Sequence, residues 1–407
     1  MRRAVVTGIG AVTPVGGTMA RAWEAVKRGE CGIGPITRFD ASGLKWSVAG
    51  EIKNSFDASA FLAPKEARRA DPFSVYAAAS AIMALEDAGL RPPVEGQVIA
   101  GTSRGAATLM EAAFFSECKK LPPFFMPSSA AGMAASLIAR KLGLRGGAAG
   151  ISSACASGLQ ALGEAFRLVR HGLAGLVIAC GADAPVTRLC VEGYGRAGAL
   201  SRSNIKNPKE ASRPFHPERD GFVLSEGACS LVVEEYGRAA RRGAQIYGEI
   251  AGYGQGIDPS HETRPSPPGW ARTISAALRD AGVEDTGLII PHAASTVLGD
   301  AAEEEAIFTA LGKTAARKIP AFPVKALTGH MLAASGPFEA AIALMCMKEG
   351  IVPPNYYLKE ARMKEAPPGL NLGGGIFLKT ARPGSALVNA FGFGGFSASV
   401  VLYSARS

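Results

Sequence analysis

The chain has 407 residues, 47% hydrophobic and 19% charged, with a formal net charge of +9, a balance that excludes a disordered chain and allows two or more core units. Its seven cysteines form no CxxC pair and no metal-ligand spacing, which excludes a zinc site or a disulfide framework and fits a reducing, cytoplasmic compartment. No run approaches the ~18 apolar residues of a membrane span, and no long basic run is interleaved with aromatics, which argues against nucleic acid and leaves an acidic protein partner for the positive charge.

The opening "MRRAVVTGIGAV" imitates a signal peptide, but Gly8, Gly10 and Pro14 break its apolar stretch, and it reads as a first strand and turn. Helix-like "MARAWEAVKRG" and "FSVYAAASAIMALEDAGL" follow, then strand-like "GQVIAGTS" and "AAGISSA", a helix after Cys155, strand-like "GLVIACGAD", and "CSLVVEEYGRAARRGA". A second round begins near Ile246 with "IYGEIAGYGQGID", a helix around "WARTISAALRDAG", "LIIPHAAS", "DAAEEEAIFTALG", "IPAFPVKALTGH" and "GPFEAAIALMCMKEG". It closes with "SALVNAFGFGG" and "SASVVLYSA". Buried apolar strands alternating with helices predict α/β architecture. The faint echo between "VVTGIGAV" and "EIAGYGQG" predicts a duplicated unit, with halves 1–245 and 246–407. The Pro-rich "SPPGW" and "VPPNYYLKEARMKEAPPG" read as surface loops.

Cys155 stands among small residues where a strand-like run turns into a helix. A thiol there lies near the positive end of the helix dipole and near unsatisfied amides, and both lower its pKa. The alternative is a small buried residue, as most free cysteines are. Of the five histidines, His171 ends the Cys155 helix and complements its dipole, while His216 and His261 sit in polar, solvated contexts. His292 and His330 each end an apolar run and are placed at strand ends, where α/β sheets bind ligands. Lys325 accompanies them. Gly392, Gly394 and Gly395 permit a sharp turn that aims a backbone amide into a site, or form an ordinary hairpin turn.

Cys155 in "SSACASG", His292 in "PHAAST", Lys325 and His330 in "KALTGH", Glu339, and the closing "FGFGG" occur in an order that resembles the elongating β-ketoacyl-acyl carrier protein synthases. The resemblance spans essentially the whole chain, including "RRAVVTGIGAVTPVG" and "SRPFHPERDGFVLSEGA". It implies the thiolase fold: duplicated α/β units whose two central mixed sheets sandwich helices in αβαβα layers. It also implies decarboxylative condensation of a Cys155-bound acyl chain with malonyl-acyl carrier protein, in fatty-acid or specialised type II polyketide or unusual-lipid synthesis.

In that reading the amides of Cys155 and Phe393 form an oxyanion hole, and neutral His292 and His330 donate ring N–H groups to the enolate. Lys325 and Glu339 support them, with a helix-surface carboxylate as the plain alternative for Glu339. Phe393 resembles the family's gate. Ala294 stands where a threonine usually bonds the pantetheine arm, leaving Thr296, and Phe396 stands where a threonine is usual beside the gate. Lys65, Arg68 and Arg69, on about one helical turn, with Lys206, form a basic patch suited to acyl carrier protein. The implied assembly is a homodimer, or a heterodimer with a related subunit, with no metal and no cofactor beyond the carrier's phosphopantetheine. The competing readings are a non-catalytic chain-length-factor-like subunit, against which Cys155 speaks, and a degradative thiolase, for which Cys346 is poorly placed within a helical run.

Overall fold

Near-continuous apolar runs make strands that need helices on both faces, and this requirement organises the molecule. The computed structural model describes residues 1–53, 56–202, 207–358, 369–373, 378–379 and 384–405. The strands of the large sheet are β1 (Ala4–Val12), β2 (Gln97–Gly101), β3 (Ala148–Ile151), β4 (Leu176–Asp183), β5 (Gly227–Glu235), β6 (Gly248–Ile257), β7 (Ile289–Ile290), β8 (Ser385–Phe391) and β9 (Phe396–Ser404). The helices that matter for the site are α1 (Met19–Lys27), α2 (Pro72–Asp87), α3 (Ala107–Phe115), α4 (Met133–Leu142), α5 (Ser157–Arg170), α6 (Arg188–Arg196), α7 (Pro267–Ala281), α8 (Val297–Leu311), α9 (Lys325–Thr328) and α10 (Ser335–Glu349).

The strands pair in the order β3-β2-β4-β5-β1-β6-β9-β8-β7. In the first half β3, β2 and β4 run parallel, and β5 and β1 follow antiparallel. The second half repeats this. β7 and β8 are parallel, β9 and β6 follow antiparallel, and an isolated parallel bridge from Ile289 to Ala321 occupies the place that β3 holds in the first half. The halves join where Ala4, Val5 and Val6 of β1 face Ile250, Glu249 and Gly248 of β6. The two sheets are therefore hydrogen-bonded into one ladder at this seam rather than standing apart.

Side-chain alternation along the strands sorts the core into layers. Val98 and Ile178 pack outward under α2 and α4 with Phe73, Leu85 and Ile138. Their neighbours Ile99 and Val177 pack inward against α5 and α10, with Leu159, Phe166, Phe338 and Ile342, and the same inner cluster holds Val388 and Val400 of the second half. α7 and α8 cover that half's other face through Trp270, Ile274 and Ile307. The result is the αβαβα layering. α10 is apolar all round because it lies in the middle layer.

Some segments differ from the sequence-based expectation. "SPPGW" is not a surface loop but the start of α7, where Ser266 caps the helix and proline occupies its first turn. α3, α4 and α6 lie outside the alternating runs, and α3 turns Met110, Phe114 and Phe115 outward, so it carries no buried stripe to read. Most of the second Pro-rich segment, residues 359–368, lies outside the described residues.

β1 is held tightly against α2. A Cβ on Gly10 would meet the Ser80 carbonyl oxygen at 2.0 Å and the Ala84 nitrogen at 2.5 Å. Gly10→Val should therefore lower unfolding stability by at least about 1–3 kcal/mol, the cost of overpacking a close-packed core. An unchanged urea midpoint would show that the helix can move away without penalty.

Candidate active site

Cys155 lies between the end of β3 and the first turn of α5, as its sequence context predicts. Ala154 adopts φ 49, a left-handed conformation uncommon for a residue with a Cβ. Ser157 stabilises this turn: its Oγ accepts from Ser153 N at 2.8 Å and donates to the Ala154 carbonyl at 2.6 Å. From the other half, Gly392 packs on the same turn so closely that a Cβ there would lie 3.0 Å from Cys155 N. Among the described residues no turn or loop backbone hydrogen bond engages the Cys155 or Phe393 amide, which leaves both able to bind a developing oxyanion.

The protonation state differs from the expectation of a lowered thiol pKa. Burial pushes the Cys155 thiol up to about 12, although the charges of Lys325 and Arg104 pull the other way. In the free protein, removal from water outweighs the helix terminus, and the group is a thiol.

His292 follows the end of β7, as expected. His330 does not end a strand. It follows the short helix α9, and the backbone of the "GFVLSEG" segment holds it, through His330 N to Val223 O at 2.8 Å and Ser225 N to His330 O at 3.0 Å. The imidazoles meet edge to face with centroids 5.2 Å apart. Burial and the Lys325 charge hold both well below the ordinary histidine pKa, so both are neutral at neutral pH. His292 Nδ1 and His330 Nε2 are buried without a hydrogen-bond partner. The Ser335 hydroxyl oxygen accepts from Met331 N at 3.0 Å and lies 3.3 Å from His330 Nδ1. Donation of its proton to Nδ1 puts the ring's own proton on the unpartnered Nε2.

Lys325 and Glu339 are each 1% exposed and paired at 2.5 Å. Glu339 is thus an interior carboxylate of α10 and not a surface one. Lys325 Nζ also donates to the His292 carbonyl at 2.5 Å. Burial pushes Glu339 up to about 7 against the pull of Lys325.

Cys155, His292 and His330 line one cavity of about 340 Å³, together with Ala294, Thr296, Phe222 and Phe393. Phe393 is 37% exposed at its mouth. Thr296 caps α8, its side chain accepting from Gly299 N at 3.1 Å, and keeps a hydroxyl proton to donate. Phe396 does not line the cavity. It packs against the inner core and lies against Gly394, so it props the loop and does not reshape the mouth directly. Lys65, Arg68 and Arg69 are exposed, but the helix carrying the first ends at Ala67. The Arg69 guanidinium lies over the Phe124 ring at 4.1 Å. Lys206 lies outside the described residues. His216 is buried rather than solvated, its Nδ1 accepting from Glu218 N at 3.1 Å within its own loop. His261 is exposed, as expected.

Two buried acids escaped the sequence reading. Asp183 accepts from Thr102, Ser103, Arg104 and Ala333, which ties the loop after β2 to the segment after His330. Glu303 accepts from His292 N at 2.6 Å and Ala293 N at 2.7 Å, which holds Ala293 at φ 47. An acid ending the apolar run "LVIACGAD" was the one visible signal for Asp183. Nothing local marks Glu303 among the acids of "GDAAEEEA".

Residues 1–239 match the β-ketoacyl synthase N-terminal domain, and residues 247–359 match its C-terminal domain. The chain belongs to the β-ketoacyl synthase family. It is 39% identical, over 98% of both chains, to the 3-oxoacyl-[acyl-carrier-protein] synthase 2 of Vibrio cholerae serotype O1. Among solved structures it is similar to a β-ketoacyl synthase from Burkholderia phymatum STM815, with TM-score 0.91 and 30% identity over 100% of both chains. It is also similar to a type II polyketide ketosynthase solved in complex with its acyl carrier protein and bound to the hexaketide, with TM-score 0.88 and 29% identity over 99% of both chains. Family membership agrees with the order of motifs from which the resemblance was drawn.

A buried thiol with neutral histidines reacts with an external electrophile through the thiolate fraction that water exchange allows. Iodoacetamide alkylation of Cys155 in the free protein should therefore rise roughly tenfold per pH unit from about pH 7 to 10, because thiolate grows at that rate below the thiol's pKa. Peptide mapping would measure it. A plateau from about pH 7 upwards would show a preformed thiolate and contradict this assignment.

Proposed function

We propose that this family member condenses an acyl chain, held as a thioester on Cys155, with malonyl-acyl carrier protein to give β-ketoacyl-acyl carrier protein. The observation that carries this reading is the convergence of one thiol and two neutral histidines on a single cavity, each ring retaining a buried nitrogen without a protein partner. The Cys155 sulfur attacks the acyl thioester carbonyl, the carrier's pantetheine thiol leaves with the proton, and the Cys155 and Phe393 amides hold the oxyanion between. In the malonyl group the bond to the carboxylate then breaks. Carbon dioxide leaves, and the electron pair passes into a thioester enolate whose oxygen accepts ring N–H groups from His292 and His330. The enolate carbon attacks the Cys155 thioester carbonyl, and the sulfur departs as a thiolate that takes a proton from solvent, since its original proton left with the first carrier's thiol. The Lys325–Glu339 pair positions the His292 backbone, and burial together with the Lys325 charge keeps both rings neutral. No resident metal or organic group has a role in this scheme.

The same proposal assigns Phe393 to the gate and Ala294 with Thr296 to the pantetheine path. Exposed Lys65, Arg68 and Arg69 meet an acidic carrier protein. The protein is a cytoplasmic homodimer, and its two repeats are residues 1–245 and 246–407. Support for a dimer comes from β3, an edge strand with Ala148, Ala149 and Gly150 exposed, and from the outward-facing Phe114, Phe115 and Met126. No helix of the described residues is long and apolar enough to cross a membrane.

Single-turnover assays separate the steps. His292→Ala and His330→Ala should still load an acyl group on Cys155, yet release carbon dioxide from malonyl carrier at least about a hundredfold more slowly, within the range for lost acid–base and electrostatic groups. Equal loss of loading and decarboxylation would reduce the histidines to structural parts.

A further inference from the structure

We infer that Arg104 selects which acyl chains Cys155 carries, favouring chains that end in a carboxylate over alkyl chains of the same length. The inference rests on the condensing reading above and names a substrate class for it. Cys155 belongs to an apolar cluster with Ile36, Val186, Val191, Leu200 and Phe222, with Cys190 and Tyr194 at its edge. These side chains are buried against one another, so a chain attached to the sulfur that runs away from the cavity must part this packing to follow them. One wall of the cluster is a run of rings. His330 meets Phe222 edge to face at 5.2 Å, Phe222 meets Tyr194 the same way at 5.5 Å, and the Arg104 guanidinium stands 5.8 Å from the Tyr194 centroid. The wall begins at a catalytic histidine and ends on a cation.

That cation has no acid of its own. Its backbone is fixed, because Asp183 accepts from Arg104 N at 2.9 Å, and its Nε donates to the Ser103 carbonyl at 2.9 Å. Both Asp183 oxygens are already committed to Thr102, Ser103, Arg104 and Ala333. Glu111, the acid on α3 nearest in sequence, accepts from Leu189 N at 2.5 Å. Among the described residues no carboxylate forms an ion pair with Arg104, and its terminal nitrogens remain available. A guanidinium fork matches a carboxylate with two parallel charge-assisted bonds. Arg104 is exposed, so a methyl terminus at the same place gains nothing from the cation, whereas a carboxylate can engage it.

The test uses the full-length protein with carrier protein bearing matched pairs of chains: butyryl against succinyl, hexanoyl against adipoyl, and octanoyl against suberoyl, with acetyl as reference. Intact mass of Cys155 after equal competition reads the ratio of the two adducts. Wild type should favour the carboxylate-ended chain by at least about tenfold at the length that reaches Arg104, the margin expected of one charge-assisted pair. Arg104→Met should abolish or invert that ratio, and Arg104→Lys should retain part of it. Arg104→Gln, which keeps length and polarity and loses charge, gives the same readout should the methionine variant fold poorly. If alkyl and acetyl chains load but wild type shows no preference at any length, or both neutral variants keep it, the assignment of Arg104 is overturned while the condensing reading stands. If no chain loads from any carrier, the condensing reading falls and takes this inference with it.

Discussion

A lysine ammonium that is 1% exposed, Lys325, is the constraint around which the site is arranged. A charge in that position must be paired and hydrogen-bonded, because an isolated one costs several kcal/mol in desolvation. Glu339 from α10 supplies the counter-charge, and the His292 carbonyl supplies a second acceptor. Satisfying Lys325 therefore ties together the loop after β7, the helix that leads to His330, and the central helix of the middle layer. The same charge acts on chemistry, since it adds to burial in holding both imidazoles neutral. A neutral ring carries one N–H donor, enough to hydrogen-bond an enolate oxygen, and leaves its other nitrogen bare.

Duplication explains why such a site can exist at all. The repeated strand order puts the β3–α5 junction of the first half and the loops after β7 and β8 of the second half around one cavity, so the thiol comes from one repeat and the histidines from the other. Contacts across that division hold the parts in register. Asp183 at the end of β4 accepts from Ala333, just past His330, and Gly392 leans on the Cys155 amide. The seam between β1 and β6 makes the halves one continuous ladder, which limits how far either set of groups can drift from the other.

The parts of this arrangement legible in the sequence are those with a local cause. Long apolar runs such as "LVIACGAD" have one stable solution, a strand covered on both faces, so the large strands and their alternation with helices could be read directly. The junction at Cys155 was visible for the same reason. Its protonation was not, because the helix terminus is a local feature whereas the burial that raises the thiol comes from residues distant in sequence, from Val186 and Phe222 to Leu332 and Gly392. His216 was misplaced likewise: "RPFHPERDG" is polar in composition, yet tertiary packing covers the ring. The roles of Asp183 and Glu303 depend on backbone amides brought to them by folding, and no spacing of side chains announces that. Phe396 looked like part of the entrance because it is adjacent in sequence to the Phe393 loop, but entry into β9 aims it at the core.

Lys325 and Glu339 act as one unit, and a double-mutant cycle with Lys325→Met and Glu339→Leu measures this most directly. Chemical unfolding of each single variant should show a loss of about 3–5 kcal/mol, as expected when one member of a buried pair is left uncompensated. The double variant should be more stable than either single variant, with two apolar groups filling the same space, while its decarboxylation of malonyl carrier stays lost because His292 and His330 are no longer positioned. Losses that simply add in the double variant would contradict the account, for they would mean that the two charges are not compensating one another in the interior.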